Sequence, residues 1–193
     1  NQAMQAAYRE NLPEDAFKAF LASSYGYDVW IQDEIEFATL TSTDGVMDVV
    51  IDSIRNGQGQ AGSGLDNVPE DHFEGPDWIV RTWGTGTATG QDYFGNLEVS
   101  PPVTVDGVEY PFGRIYYGHT SGQFAVKEAL RSFLDSQKVQ EPFVVDTSWL
   151  IVGHVDEYQT TIPDPSSDKG FKFLMADTRI AWELLEAADP DTY

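Results

Sequence analysis

The sequence predicts a mixed protein of the α/β or α+β class, because strand-like and helix-like segments alternate along its 193 residues. Residues 46–51 and 77–83 are rich in the β-branched and aromatic side chains that strands favour. Residues 121–138 instead repeat apolar side chains at helical spacing. The length suits one sizeable domain, and we expect residues 1–193 to form a single domain.

Each predicted element has a local reason in the sequence. A first helix is expected at 11–25, with Pro13 in its first turn and Gly26 after its end. A second helix is expected at 121–138, capped by Ser121, and a third at 179–188, capped by Asp177 or Thr178. The second helix has apolar residues at helical spacing, and we expect them to pack on the core. They are Ala125, Val126, Ala129, Leu130, Phe133 and Leu134. The predicted strands are 29–37, 46–51, 77–83, 113–118, 149–152 and 171–176.

Turn signals separate these elements. Asp106-Gly107 predicts a tight turn between two short extended runs. Residues 57–67 and 84–90 are rich in glycine and are expected to be loops. The second loop lacks the lysine of a phosphate-binding loop, so we expect no nucleotide site there.

Composition limits the possible partners. The net charge is -21, from 32 acidic and 11 basic residues, so we expect neither nucleic acid nor an anionic membrane surface as a partner. No run approaches the ~18 apolar residues of a membrane span. The chain has no cysteine, which excludes disulfides, thiolate zinc sites and a cysteine nucleophile within it.

Oxygen-bearing side chains are concentrated in residues 29–37. In a strand, alternation places Gln32, Glu34 and Glu36 on one face and Asp33 on the opposite, apolar face. With four further oxygen donors they could form one or two calcium sites; these donors are Asp52, Ser53, Asn56 and Glu98. A solvated acidic face is the alternative. Zinc is disfavoured, because the three histidines are far apart in the sequence.

His154 and Asp156 form the second candidate site. In an extended strand both side chains project from one face. Together with Asp33 they would offer paired carboxylates to a planar guanidinium, with a histidine beside them to transfer protons and Trp30 lining the pocket. A buried structural histidine is the simpler alternative. A serine hydrolase is disfavoured, because no Gly-x-Ser-x-Gly motif occurs.

Five motifs in order resemble the calcium-dependent protein-arginine deiminases, over about residues 27–179. The motifs are WIQDEIE at 30–36, DSIRN at 52–56, FGNLEVSPPVT at 94–104, WLIVGHVDE at 149–157 and KGF at 169–171. The resemblance implies the pentein fold, a propeller of five ββαβ modules that is incomplete in this chain. It also implies hydrolysis of protein-bound arginine to citrulline, with release of ammonia.

The resemblance assigns roles by position. Asp33 and Asp156 would bind the guanidinium, and His154 would act as general acid/base. The implied substrate-binding residues are Trp30, Arg55 and Val152, with Arg55 bound to the substrate backbone. Two Ca²⁺ ions are implied. One would bind side chains or carbonyls of Gln32, Glu36, Phe94, Leu97 and Glu98; the other would bind Glu34, Asp52, Ser53 and Asn56.

The family's nucleophile is a cysteine nearer the C-terminus, and this chain has none. We expect residues 1–193, from Asn1 to Tyr193, to be too few for five modules and to include none of the β-sandwich domains of vertebrate members. Gly57 stands where those members often carry a second substrate-binding arginine. We therefore expect one product of a cleaved or nicked deiminase, completed by a cysteine-bearing C-terminal chain of the same precursor.

Two other functions stay open. The first is a non-catalytic module, or an inert fragment, that binds calcium and arginyl peptides. The second is a deiminase or amidinotransferase for small guanidines, which Arg55 and the calcium ligands disfavour. An extracellular location, where calcium is plentiful, is expected, and a cytoplasmic one is the alternative.

Overall fold

A computed structural model describes residues 2–14, 18–55, 64–120 and 125–188, and these ranges mix helices and strands as predicted. The helices are α1 (Gln2–Asn11), α2 (Val68–His72), α3 (Glu128–Ser136) and α4 (Thr178–Ala187). The strands are β1 (Ile35–Ser42), β2 (Gly45–Asp52), β3 (Trp78–Thr82), β4 (Leu97–Val99), β5 (Val103–Val105), β6 (Val108–Tyr110), β7 (Ile115–His119), β8 (Phe143–Asp146), β9 (Gln159–Pro163) and β10 (Phe171–Met175). Asn56, Gly57 and Ser121, for which the sequence suggests roles, lie outside the described residues.

The described strands form small sheets. β1 and β2 form an antiparallel hairpin, and β3 pairs with β2 in parallel. β7 pairs with β4 antiparallel and with β8 in parallel, while β5–β6 and β9–β10 are separate hairpins. Mixed α/β content is thus confirmed, and the five-module propeller stays a prediction.

Two local predictions are confirmed by backbone geometry. Asp106 and Gly107 both have positive φ, 51° and 83°, as the tight turn between β5 and β6 requires. Asp177 caps α4, because its carboxylate accepts the backbone N–H groups of Arg179 and Ile180 at 2.9 and 3.0 Å. In both cases the residues that determine the structure are adjacent in sequence.

A hydrophobic core connects α3 to β4 and β7. Its buried residues are Phe94, Leu97, Ile115, Tyr117, Val126, Leu130 and Leu134, with Phe133 packed against them. The predicted core face of α3 is therefore largely confirmed, although Ala129 is exposed. The helix begins at Glu128, because the backbone of Lys127 is extended and its N–H is bound by Asp92 at 2.7 Å.

The predicted helix at 11–25 is wrong within the described residues. α1 ends at Asn11, just before Pro13, which disfavours helical conformation in the residue preceding it and has no N–H to continue the helix. A 3₁₀ helix at Ala22–Tyr25 follows, and Gly26 ends it with φ 65°. Of the predicted helix, residues 15–17 lie outside the described ranges.

The predicted strand at 29–37 is replaced by a 3₁₀ helix, Ile31–Asp33, followed by β1. Asp28 causes the difference locally, because its Oδ1 accepts the N–H of Trp30 at 3.1 Å and so competes with strand pairing. The strict alternation of faces expected for residues 32–36 therefore does not apply to Gln32 and Asp33.

The predicted strand at 149–152 is also wrong. β8 ends at Asp146, whose Oδ1 accepts the N–H of Ser148 at 2.9 Å and so starts a turn. Leu150 then donates its N–H to the carbonyl of Thr147, and Ile151 is fully exposed. His154 and Asp156 do not share a strand face, because Val155–Glu157 forms a 3₁₀ helix with His154 at its N-cap.

Among the described residues, every helix is too short or too polar to cross a membrane.

Candidate functional site

Three short 3₁₀ helices meet at the candidate site: Ile31–Asp33, Phe94–Asn96 and Val155–Glu157. The first leads into β1, the second into β4 and the third into β9. Because each turn precedes a paired strand, the sheets fix where the turns lie. Side chains distant in sequence are thereby brought together.

The turns unite the three predicted catalytic residues. Nδ1 of His154 lies 3.5 Å from Oδ1 of Asp33 and 4.0 Å from Oδ1 of Asp156. The His154 side chain is 5% exposed, and the Asp156 side chain is 36% exposed. The convergence agrees with the sequence hypothesis, although it arises from turns and not from a strand face. The catalytic roles stay a prediction.

Gly95 lies at the centre of this cluster. A Cβ at this position would lie 2.6 Å from Oδ2 of Asp156, 2.8 Å from Oδ1 of Asp33 and 3.0 Å from Nδ1 of His154. Only glycine therefore leaves room for all three side chains. Sequence reasoning missed this residue, and its only signal is a glycine inside the FGN turn.

His154 is held at both its backbone and its ring. Oε1 of Glu157 accepts the backbone N–H groups of Gly153 and His154, at 2.7 and 2.8 Å. Nε2 of the ring lies 2.6 Å from the carbonyl oxygen of Gly90. The ring is therefore oriented with Nδ1 toward the two carboxylates.

Opposing effects act on the pKa of Asp156. Burial raises the pKa of its carboxyl and the neighbouring Asp33 adds to this, while His154 acts in the opposite direction. A cation placed between the two carboxylates would relieve their repulsion. A guanidinium has the charge and the forked donors for this.

The predicted substrate-binding residues lie in different environments. Trp30 precedes the Ile31–Asp33 turn and Val152 lies two residues before His154; both side chains are more than half exposed. Arg55 is buried, with Nη1 donating to Oε2 of Glu34 and Nη2 donating to Oδ2 of Asp28, both at 2.7 Å. Its predicted contact with a substrate backbone stays a prediction.

The first predicted calcium set surrounds the beginning of β1 and of β4. Nε2 of Gln32 donates to Oε1 of Glu36 at 3.1 Å. Burial, and then the charge of Glu98, raises the pKa of Glu36 to about 8. The pKa of Glu98 is raised by burial and by Asp156. Phe94 and Leu97 are buried at the turn that leads into β4.

The second predicted set lies where β1 begins and β2 ends, because Ile35 pairs with Asp52. Ser53 donates its N–H to the carbonyl of Glu34 at 2.9 Å. Burial raises the pKa of Glu34 to about 8 and that of Asp52 to about 7. Asn56, the fourth predicted ligand, is not among the described residues.

The chemistry of the second set fits a hard cation. Oε1 of Glu34 and Oδ1 of Asp52 are buried without a hydrogen-bond partner, and such oxygens are costly unless they bind something. In the described ranges no three His, Asp or Glu side chains cluster as a metal site on their own. Each predicted set contains only two carboxylates, and its other ligands are amide, hydroxyl or carbonyl oxygens. The absence of a cluster of three His, Asp or Glu side chains in the described ranges is therefore compatible with the predicted sets.

Comparison with known proteins identifies the family. Residues 3–193 match the protein-arginine deiminase (PAD) family, and the chain belongs to that family. Protein-arginine deiminase type-4 from Homo sapiens is 41% identical over 165 residues, which cover 82% of this chain and 24% of the relative. Type-1 from Homo sapiens is 40% identical over 171 residues, covering 86% and 25%. Type-4 from Mus musculus is 39% identical over 166 residues, covering 82% and 24%.

The chain thus spans about a quarter of the length of the curated relatives it matches. The resemblance seen in the sequence is confirmed at the level of the family.

Proposed function

We propose that this chain supplies the guanidinium-binding carboxylates, the acid/base histidine and the calcium-binding residues of a protein-arginine deiminase. The observation that carries the proposal is the convergence of Asp33, Asp156 and His154 on Gly95, in a chain of this family. The reaction is hydrolysis of peptidyl arginine to peptidyl citrulline and ammonia.

The two carboxylates suit a guanidinium better than a lysine ammonium. A guanidinium is planar and offers pairs of N–H donors, which two carboxylates on either side can accept together. Trp30 would pack on the aliphatic stem of the substrate and Val152 would line the pocket, which their exposure permits. Arg55 would bind the peptide backbone after leaving Glu34 and Asp28.

The nucleophile must come from another polypeptide segment, because this chain has no cysteine. A thiolate attacks the guanidinium carbon, and the leaving nitrogen takes a proton and departs as ammonia. Water then attacks the covalent thiouronium carbon, which releases citrulline and restores the thiol. His154 would move the protons at Nδ1 in both steps.

The calcium ligands proposed here are those named from the sequence resemblance. A bound calcium ion would supply positive charge to carboxylates that burial disfavours as anions. Glu34 and Asp52 would turn their unpartnered oxygens to it, and Gln32 and Glu36 would serve the other ion with Glu98. The protein residues would thereby be held in place around the beginning of β1.

Exposed apolar surface supports a completing polypeptide. On α4, four large apolar side chains are about half exposed or more: Ile180, Trp182, Leu184 and Leu185. Phe173, Leu174 and Met175 of β10 are exposed likewise. We propose that the cysteine-bearing C-terminal chain covers this surface and completes a pentein propeller.

A citrulline assay tests the proposal. The 193-residue chain is mixed with the cysteine-bearing polypeptide, and a blocked arginyl peptide is compared with free arginine, with and without a chelator. We expect turnover of the peptide only with both polypeptides and calcium, and loss of turnover in Asp156→Asn. Absence of turnover, together with tight peptide binding, would instead favour the non-catalytic module.

Calcium binding is measured separately by calorimetry on the chain alone. We expect two ions to bind and Asp52→Asn to remove one of them. At a concentration 100 times Kd, one bound ion would stabilise the fold by about 2.7 kcal/mol. Unchanged stability in calcium would contradict this part of the proposal.

A further inference from the structure

We propose that Asp92 is a positioning residue for His154: by holding the turn Gly90–Asp92, it presents the Gly90 carbonyl to Nε2 and leaves Nδ1 as the nitrogen that exchanges protons. This inference rests on the proposed function, in which His154 is the acid/base. Both carboxylate oxygens of Asp92 accept backbone N–H groups, those of Thr89 and Lys127, so Asp92 would act on the reaction only through His154.

The first step is the protonation of the ring. Nε2 of His154 lies 2.6 Å from the carbonyl oxygen of Gly90. A carbonyl oxygen can only accept a hydrogen bond, so Nε2 carries the proton. The proton that moves in a reaction is therefore the one on Nδ1, which faces Asp33 and Asp156 at 3.5 and 4.0 Å.

The second step is the rigidity of the Gly90 carbonyl. Asp92 is 1% exposed, and both its oxygens are used. Oδ2 accepts the N–H of Thr89 at 2.8 Å, and Oδ1 accepts the N–H of Lys127 at 2.7 Å. The carboxylate thus ties the turn to the chain just before α3. Removing a carboxylate from water costs free energy, and hydrogen bonds from N–H donors compensate that cost here.

Thr89 completes the turn from the other side. Its Oγ1 accepts the N–H of Gln91 at 3.2 Å and donates to the carbonyl of Ala125 at 3.2 Å. Gln91 in turn donates from Nε2 to the carbonyl of Val152 at 3.0 Å. Gly90 and Gln91 are consecutive residues of one turn: the first contacts the His154 ring, and the second contacts the backbone of Val152.

The consequence concerns the tautomer. The carboxylates of Asp33 and Asp156 attract a proton to Nδ1, whereas the Gly90 carbonyl, the acceptor bonded to Nε2 among the described residues, favours a proton on Nε2. If the turn loosens, the neutral ring protonated on Nδ1 becomes the favoured form. Nδ1 then begins as a donor to a carboxylate and is a poorer base.

The test is NMR of the 193-residue chain labelled with ¹⁵N in its histidines, with the His154 signals assigned by His154→Gln. In the wild type we expect Nε2 to show a directly bonded proton. In Asp92→Asn the side chain keeps one acceptor oxygen and turns an NH₂ group toward a backbone N–H, so we expect that bonded-proton signal to weaken or vanish. Asp177→Asn is the matched control, because Asp177 also accepts two backbone N–H groups but lies at α4.

A second variant covers the case in which Asp92→Asn does not fold. Thr89→Ala removes the acceptor for Gln91, and Thr89→Ser restores it, so the alanine variant should lose the bonded-proton signal and the serine variant keep it. An unprotonated Nε2 in the wild type, or an unchanged signal in folded Asp92→Asn or Thr89→Ala, would overturn the inference.

Kinetics of the chain assembled with its cysteine-bearing polypeptide give the second readout. We expect Asp92→Asn to lower kcat about tenfold, part of the ~10²–10⁴-fold that a positioned acid/base contributes, with KM within about twofold. Suppose that NMR shows the proton on Nε2 in the wild type and its loss in Asp92→Asn, but the assembled wild type has no turnover. This outcome would refute the proposed function and leave the geometry of the His154 ring established. A KM effect without a kcat effect would refute the positioning role.

Discussion

The guanidinium of Arg55 and the carboxylate of Glu34 form a buried ion pair, with Nη1 2.7 Å from Oε2. Asp28 takes the other side of the guanidinium at 2.7 Å, and the ring of Tyr93 lies 5.5 Å from its centre. The side chains of Arg55, Glu34 and Asp28 are 6%, 0% and 0% exposed. One cation therefore compensates two buried carboxylates, and each of these groups depends on the others.

Above pH 8, where Glu34 with its pKa of about 8 is ionised, Arg55→Met should destabilise the chain by about 3–5 kcal/mol, because it leaves two buried carboxylates without their cation. The measurement is the free energy of unfolding from urea titration, in chelator. The methionine keeps much of the apolar volume, so the loss reports the charge more than a cavity.

Arg179→Met is the matched control. Arg179 is 76% exposed and its carboxylate partners lie at 3.8 and 3.9 Å, so its removal should cost less than about 1 kcal/mol. If Arg55→Met were as mild as Arg179→Met, the buried pair would not be a structural element of the chain in solution.

Gly95→Ala should disrupt the candidate site by direct overlap with Asp156, Asp33 and His154, whose atoms lie within 3.0 Å of the added Cβ. The side chains must move, and a displacement of about 1 Å can lower activity about 100-fold. The measurement is citrulline production by the assembled enzyme, alongside binding of a blocked arginyl peptide to the chain.

Gly75→Ala is the control for the glycine change itself, because nothing lies within 4 Å of the Cβ it would add. Its activity should match that of the wild type. Equal activity of Gly95→Ala and Gly75→Ala would show that the three side chains do not converge on Gly95 when substrate binds.

Features determined by neighbouring residues were predictable from the sequence. The Asp106-Gly107 turn and the Asp177 cap each depend on adjacent residues, and both are confirmed. The core face of α3 follows from helical spacing. The convergence of Asp33 with Asp156 was suggested by the lone Asp33 on an apolar face, by the His154-x-Asp156 pair and by the family motifs that contain both.

Features that depend on distant or competing contacts were not predictable in this way. Residues 149–152 have apolar side chains typical of a strand, but the Asp146 carboxylate binds Ser148 and starts a turn. Arg55 is turned inward by Asp28, a partner 27 residues away in sequence. The importance of Gly95 depends on three side chains from two other turns, which no local pattern contains.

Asp164 provides a test of pH dependence away from the candidate metal ligands. The ammonium of Lys172 and the donors of Ser166 hold the pKa of its carboxyl below the ordinary 3.8. Because the folded pKa is lowered, this group contributes stability above its ordinary pKa, and the contribution is lost as pH falls through the lowered value. Lys172→Met should raise the pKa of Asp164, measured by NMR titration of its carboxyl carbon.

Lys169→Met removes a positive charge from the same hairpin, and Lys169 forms no ion pair with Asp164 within the described residues. Its effect on the pKa of Asp164 should be the smaller of the two. Equal shifts in both variants would assign the lowered pKa to the general field of the hairpin and not to the Lys172 contact.

Leu184 tests whether α4 is an interface for the completing polypeptide. Leu184 is 66% exposed, so Leu184→Asp should change the free energy of unfolding of the 193-residue chain alone by less than about 0.5 kcal/mol. If the cysteine-bearing polypeptide covers α4, the same change buries an unpaired charge and should weaken association at least about tenfold. Glu186→Gln on the same helix removes a charge without adding one to the apolar surface, and should leave association unchanged. Affinity is measured by calorimetry with the purified C-terminal polypeptide, and equal affinities of the two variants would place the interface elsewhere.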